Sequence, residues 1–156
     1  MTKISIVTPT FNEELNIEIL CTAIKKEMQK LNLDYEHIII DNSSTDNTIK
    51  ILKEICSNDK KVKVIINSKN YGHIKSPFHG ILQSTGDACL LMASDFQDPV
   101  ELIPQYIKKW QDGSKIVLGK KITSKENSLM FNIRKVFYNF LNKISETKLT
   151  SNTTGS

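Results

Sequence analysis

The strongest constraint on the fold is a run of three isoleucines, Ile38-Ile39-Ile40, inside a longer apolar segment. A run without alternation between apolar and polar residues is typical of a strand buried on both faces, as in a parallel sheet covered by helices. Other short apolar or β-branched segments recur along the chain and predict further strands. The predicted strands are 4–8, 36–41, 62–67, 88–92 and 115–118.

Helical patterns fill the intervals between these strands. After the first strand, apolar residues recur every three to four positions up to Leu31, as on one face of an amphipathic helix. The alternation predicts an α/β fold, a mostly parallel layered sheet with helices on both faces and right-handed crossovers. The predicted helices begin after Asn12, near Asp46, near Pro77 and at Pro99, and the last one ends at Asp112-Gly113.

The length of 156 residues indicates one domain, which we expect to span residues 1–148, followed by a flexible tail at 149–156. Cys21, Cys56 and Cys89 are odd in number and lie among apolar neighbours, which indicates reduced core cysteines of a cytoplasmic protein rather than disulfides or zinc ligands. No apolar run approaches the roughly 20 residues of a membrane-spanning helix. The strand-like start leaves no room for a signal peptide.

The net charge of +4 is unevenly distributed. Residues 1–99 hold 11 Lys or Arg against 13 Asp or Glu, whereas residues 100–156 hold 10 against 4. The basic C-terminal part suits an anionic partner such as phosphate or a lipid surface, and it equally suits a solvated lysine-rich surface. We expect no nucleic-acid partner.

Ligand-binding residues are expected just after the strands, because open α/β sheets bind ligands beyond the carboxyl ends of their strands. The loop 8–12 has no glycine, and the chain has no G-x-x-x-x-G-K-[ST] loop, so a nucleotide would need another counter-charge for its phosphates. A metal ion is the obvious candidate. Asp41 ends the second strand and could accept a hydrogen bond from a base or a ribose, or simply form a turn before the helix.

The loop after the fourth strand carries two carboxylates, Asp95 and Asp98, with Gln97 between them. Hard divalent cations prefer oxygen ligands, and Mg²⁺ commonly takes one or two carboxylates plus phosphate oxygens. The loop therefore predicts a Mg²⁺ or Mn²⁺ site that bridges a diphosphate. Asp98 is also well placed to cap the following helix, whether or not Asp95 binds metal.

Together, these segments resemble the motifs of family 2 glycosyltransferases, which have the GT-A fold. Residues 4–16 resemble the family's opening, and residues 41–48 are similar to its DDGSTD segment. Residues 95–104 closely resemble the DLQDPPELIP stretch of the branch that contains dolichyl-phosphate mannose synthase and bacterial polyprenyl-phosphate sugar transferases. The resemblance extends from residue 3 to about 145, and the family's spaced glycines match 70–72, 79–80 and 84–87.

The resemblance implies a nucleoside-diphosphate sugar as the donor, a divalent cation (Mg²⁺ or Mn²⁺) and inversion at the transferred sugar carbon. It places Pro9, Glu13, Asp41 and Asp95 at the nucleotide sugar, Asp95 and Gln97 at the metal, and Asp95 and Arg134 in catalysis. As a surface residue on an amphipathic helix, Arg134 could equally be inert.

Two features depart from the family pattern. Ala93 stands where the family usually has the first aspartate of DADLQDP, which removes one expected metal ligand. Family members also continue well past this length with a segment that completes the acceptor side. The alternative is therefore a catalytically inactive GT-A-like module that binds nucleotide sugar or a partner protein. A nucleotidyltransferase is disfavoured, because it would need a glycine-rich, lysine-bearing loop after the first strand.

The expected acceptor is a polyprenyl phosphate or a growing surface glycan. A lipid phosphate is already an anion and needs no general base, and no carboxylate after Asp98 sits in a recognisable base motif. Residues 128–144 combine an apolar helical face with basic residues, which suits a helix in a membrane interface or one packed on the sheet. We expect the protein in the cytoplasm, and the first alternative would bring it to the inner face of the cell membrane.

Overall fold

The computed structural model describes residues 2–119. The chain divides into two units, Met1–Lys115 and Ile116–Ser156, and every element described below belongs to the first. The elements are β1 (Lys3–Thr10), α1 (Ile17–Leu31), β2 (Asp34–Asp41), α2 (Thr48–Asn58), β3 (Val62–Ile66), α3 (Gly72–Leu82), β4 (Ala88–Leu91), a 3₁₀ turn (Val100–Leu102) and α4 (Ile103–Gln111).

The four strands form one sheet in the order β3-β2-β1-β4, and every pairing is parallel. The isoleucines 38–40 of β2 are fully buried in the middle of this sheet. Parallel neighbours require crossover connections, which the intervening helices provide. The α/β class and the first four predicted strands are therefore confirmed.

Helices cover both faces of the sheet. On one face, Ile4 and Ile6 of β1 pack in a core cluster with Leu20 of α1 and Ile103 of α4. On the other face, α3 approaches so closely that a Cβ at Gly80 would lie 2.7 Å from the Val7 side chain. Gly80 therefore sets the distance between α3 and the sheet. Within residues 2–119, no helix has both the length and the apolar character to cross a membrane.

The predicted fifth strand is wrong, because residues 115–118 form neither strand nor helix. A strand needs a hydrogen-bonded neighbour, and none of the described strands pairs with this segment. Ile116 and Leu118 are accordingly 80% and 60% exposed. The three cysteines are free, as expected, but only Cys21 is a core residue, and Cys89 is exposed.

Three helix starts differ from the sequence expectation. α1 begins at Ile17 rather than after Asn12, because Asn12 adopts a φ of 55° and its side-chain oxygen accepts a hydrogen bond from the distant Thr45 N–H (2.8 Å). α3 begins at Gly72 and holds Pro77 in its interior. The residues after Pro99 first form the 3₁₀ turn, so α4 begins at Ile103. Long-range hydrogen bonds and backbone conformation overrode the local capping signals.

Candidate functional site

A cleft of about 450 Å³ opens at the carboxyl edge of the sheet. The loops after β1, β2 and β4 meet there with the first turn of α3, as expected for an open parallel sheet. Its lining residues are Pro9, Thr10, Phe11, Glu13, Asn42, Asn70, Gly72, His73, Ser76, Pro77, Ala93, Ser94 and Asp95.

The cleft brings together three of the predicted site residues, Pro9, Glu13 and Asp95. Asp41 is fully buried and is not among the lining residues. One of its carboxylate oxygens accepts from the Ser44 N–H (3.0 Å), and the other accepts from the Ser44 hydroxyl. Gln97 is exposed on the loop after β4, outside the lining, and Arg134 lies outside the described residues.

The loops that follow β1 and β2 are joined by hydrogen bonds, and we call them the braced loops (residues 11–16 and 42–48). The Asn12 N–H donates to Ser44 Oγ (2.9 Å), and the Glu13 N–H donates to Thr48 Oγ1 (2.9 Å). The Glu14 carboxylate accepts from both the backbone and the side chain of Asn47 (2.9 and 2.8 Å). These bonds fix the backbone that carries Glu13 into the cleft.

Asp46 adds a buried-type interaction to the braced loops. Its carboxylate accepts from the N–H groups of Thr48 (2.9 Å) and Glu14 (3.2 Å). Burial raises the pKa of Asp46, but the hydrogen bonds from Thr48 and Glu14 outweigh burial and hold the pKa below its ordinary value. Asp46 therefore stays ionised as a link between the two loops.

Asn42 connects β2 to the start of α3, a role that the sequence did not reveal. Its side-chain oxygen accepts from the Tyr71 N–H (2.9 Å) and from Asn67 Nδ2 (3.2 Å). Its amide nitrogen donates to Asn70 Oδ1 (2.8 Å), which also accepts from the Gly72 N–H (2.8 Å). The available signal was Asn42 itself, since it replaces the second aspartate of the DDGSTD pattern and only an amide can donate here.

The loop after β4 has a different character. Gln97 donates to both oxygens of Asp95, from its backbone N–H (3.2 Å) and from Nε2 (2.6 Å). Phe96 between them has a φ of 57°, which is costly for a bulky residue. The expected cap is wrong, because no side chain caps the 3₁₀ turn and Asp98 Oδ1 is buried without a hydrogen-bond partner.

The donor set of this loop suits a hard divalent cation only in part. A carboxylate and an amide oxygen are the ligand types that Mg²⁺ and Mn²⁺ prefer. However, within residues 2–119 no three His, Cys, Asp or Glu side chains lie close enough together to hold an ion. Oxygen ligands from a bound diphosphate would have to complete the coordination.

A second cluster of buried polar groups lies on the strands, away from the cleft. Glu36 accepts hydrogen bonds from Ser5 Oγ (2.7 Å), Lys63 Nζ (2.6 Å) and the Thr85 N–H (2.7 Å). Burial raises the pKa of Glu36, but these hydrogen bonds outweigh it and hold the pKa far below its ordinary value. The cluster ties β1, β2 and β3 to the loop before β4, and we assign it a structural role.

The sequence family agrees with this geometry. The family described as Glycosyl transferase family 2 matches residues 5–156. The chain belongs to this family. The predicted resemblance is therefore confirmed, and the cleft of this family 2 chain lies where its sequence motifs meet.

Two relatives illustrate the match. The prophage bactoprenol glucosyl transferase homolog of Escherichia coli is 34% identical over 151 residues, which cover 96% of this chain and 49% of the relative. The putative glycosyltransferase CsbB of Bacillus subtilis is 29% identical over 146 residues, which cover 94% of this chain and 44% of the relative. The chain thus spans about half the length of these relatives.

Solved structures confirm the GT-A fold. Glucosyl-3-phosphoglycerate synthase from Mycobacterium tuberculosis, crystallised with Mn²⁺ and UDP, gives a TM-score of 0.66 at 20% identity, covering 97% of this chain and 54% of that one. TarS from Staphylococcus aureus, crystallised with UDP, gives a TM-score of 0.54 at 25% identity, covering 69% of this chain and 32% of that one.

Proposed function

We propose that this chain carries the donor-binding part of an inverting glycosyltransferase that uses a nucleoside-diphosphate sugar. The observation that carries the proposal is the cleft, which places Pro9, Glu13 and Asp95 together at the carboxyl edge of the sheet. The TarS structure, which shares the fold and was crystallised with UDP, supports a nucleoside diphosphate as the ligand class.

The proposed division of labour follows the two sides of the cleft. The braced loops, with Pro9 and Glu13, would hold the nucleoside. Asp41 would support this side, and a direct contact with the ligand would require it to exchange a hydrogen bond from Ser44. Asp95 and Gln97 would hold a Mg²⁺ or Mn²⁺ ion, which stabilises the negative charge of the leaving diphosphate.

The proposed acceptor is a polyprenyl phosphate. An acceptor phosphate oxygen would form a bond to C1 of the sugar while the C1–O bond to the diphosphate breaks. The electron pair of that bond leaves with the nucleoside diphosphate, and the configuration at C1 is inverted. The acceptor is already an anion, so no side chain has to remove a proton. The relative named a bactoprenol glucosyl transferase homolog supports this acceptor class.

Residues outside the structural description enter only as proposals. Arg134 would contact a phosphate group, and the amphipathic segment 128–144 would bring the protein to anionic lipid at the inner face of the membrane. A domain spanning 1–148 and a flexible tail also remain proposals. Flotation of the chain with anionic but not neutral liposomes, reversed by salt, is the expected result for the lipid contact.

Calorimetric titration with UDP- and GDP-sugars, with and without Mg²⁺ or Mn²⁺, tests the proposed function. We expect saturable binding of at least one nucleotide sugar that strengthens with the metal ion. Absence of binding to the whole panel would refute the proposal. Transfer to a short polyprenyl phosphate, followed by assignment of the anomeric configuration in the product, then tests acceptor and inversion.

A second candidate function is a catalytically inactive module that binds a nucleotide sugar or a partner protein. Ala93 favours it, because this position contributes no carboxylate to the cleft. Binding of the donor without hydrolysis or transfer, in this chain and in a longer version of it, would support the inactive module.

A further inference from the structure

Position 93 determines how much negative charge the protein brings to the cleft. Ala93 and Asp95 both line the cleft, with Ser94 between them. Side chains at both positions therefore border the same space, but only Asp95 provides a carboxylate. The described residues contain no group of three His, Cys, Asp or Glu that could hold an ion without further ligands.

The carboxylate that is present already has hydrogen-bond donors on both oxygens. Gln97 Nε2 lies 2.6 Å from Asp95 Oδ2, and the Gln97 N–H lies 3.2 Å from Oδ1. A cation that binds Oδ2 must replace the amide donor, and it must also give up water, which Mg²⁺ does reluctantly. One carboxylate is a weak reward for both losses.

We propose that the divalent cation enters this cleft together with the nucleoside diphosphate and binds poorly to the protein alone, and that Ala93 is the residue that imposes this coupling. The inference rests on the proposed function, since it needs a diphosphate in the cleft. The diphosphate oxygens supply the negative charge that position 93 does not. By linkage, the cation and the nucleotide then strengthen each other's binding by the same factor.

Titration of the 156-residue chain with Mn²⁺, followed by the electron paramagnetic resonance signal of the free ion, tests the coupling. The arms are protein alone, protein with UDP and protein with GDP, and nucleotide without protein gives the baseline. We expect at least about tenfold tighter Mn²⁺ binding with the better nucleotide, equivalent to about 1.4 kcal/mol. Equal Mn²⁺ affinity with and without nucleotide overturns the inference.

Ala93→Asp is the matched gain-of-function variant. It should bind Mn²⁺ without nucleotide about tenfold more tightly than the wild type does, because a second carboxylate borders the same space. Ala93→Asn, which has nearly the same size but no charge, should stay close to the wild type. A folded Ala93→Asp variant with unchanged Mn²⁺ binding overturns the role of position 93. If the variant does not fold, the wild-type arms decide the coupling.

The two possible failures are distinguishable by calorimetry with UDP and GDP. A nucleotide that binds equally well with and without Mn²⁺ leaves the nucleotide site intact and refutes only the coupling. A chain that binds neither nucleotide under any metal condition refutes the proposed function and the inference together.

Discussion

The two walls of the cleft are built in different ways. The braced loops on one wall are joined by hydrogen bonds between residues 32 to 35 positions apart, such as Asn12 to Ser44 and Glu13 to Thr48. The loop after β4 on the other wall is held by hydrogen bonds between Gln97 and Asp95, only two positions apart. The first wall is formed before a ligand arrives, whereas the second needs the ligand to complete it.

This difference indicates which part of a donor each wall can recognise. A preformed wall loses little conformational entropy on binding and can discriminate by shape and hydrogen bonding. A wall with one partly occupied carboxylate can contribute charge only when a cation and a phosphate are both present. Nucleoside recognition should therefore be robust, and diphosphate recognition should depend strongly on the solution conditions.

Asp95→Ala should have the largest effect, on the second wall. Loss of the carboxylate removes the described anionic ligand for the cation, so the metal-dependent part of nucleotide binding should fall about 100-fold. Calorimetry with UDP or GDP and Mn²⁺ measures it. Asp112→Ala, an exposed carboxylate at the end of α4, is the control and should bind normally. Unchanged metal dependence in Asp95→Ala would refute the assignment.

Ser44→Ala should damage the braced wall instead. The Ser44 hydroxyl donates to the buried Asp41 carboxylate and accepts from the Asn12 N–H. Removing it leaves a buried charge short of a donor, which should cost about 2–3 kcal/mol of unfolding free energy in urea denaturation. Ser68→Ala, at an exposed position, should change stability by less than about 0.5 kcal/mol. Equal effects of the two substitutions would contradict the bracing.

Acid should weaken the strands beneath the braced wall. Burial lowers the pKa of His37 to about 4, against the opposing attraction of Asp59, and the imidazole hydrogen-bonds to Thr8 Oγ1 (2.9 Å). The unfolded chain, with a histidine pKa of about 6.5, binds the proton first, so stability falls as the pH drops below that value. Between pH 7 and pH 5 the loss should be about 2 kcal/mol.

His37→Gln separates this contribution from the rest of the chain, because glutamine keeps hydrogen-bonding groups but does not titrate. Its urea denaturation midpoint should change less between pH 7 and pH 5 than that of the wild type. The Glu36 carboxyl, whose pKa is lowered, contributes only below the ordinary glutamate range and so does not interfere in this window. An equally steep pH dependence in the variant would exclude His37 as the cause.

Thr10→Val should give the smallest effect and tests whether the preformed wall keeps a group for the ligand. Thr10 lines the cleft, and its hydroxyl is buried without a hydrogen-bond partner. If the ligand provides the partner, valine should weaken nucleotide binding by about 1 kcal/mol, or about fivefold, without lowering stability. Calorimetry and urea denaturation of the same preparation measure both quantities. Unchanged affinity would show that the hydroxyl is not used.

The sequence predicted the framework better than the site. The run Ile38–Ile40 and the similar segments placed β1 to β4 correctly, because burial on both faces leaves a strong local pattern. Asn12 looked like a helix cap, yet its side chain bonds to Thr45, and no local pattern encodes a partner 33 positions away. The burial of Asp41 likewise depends on how Ser44 folds back onto it.

The spacing of the braced loops has a consequence for the order in which the cleft is assembled. Residues 11–48 leave the ribosome well before Asp95, by about 2–10 s at typical rates of synthesis. β1 can pair with β2 in that interval, but its other edge stays open until β4 arrives. During synthesis, the nucleoside wall would therefore exist first, as a half-site beside an unpaired strand edge that is exposed to aggregation.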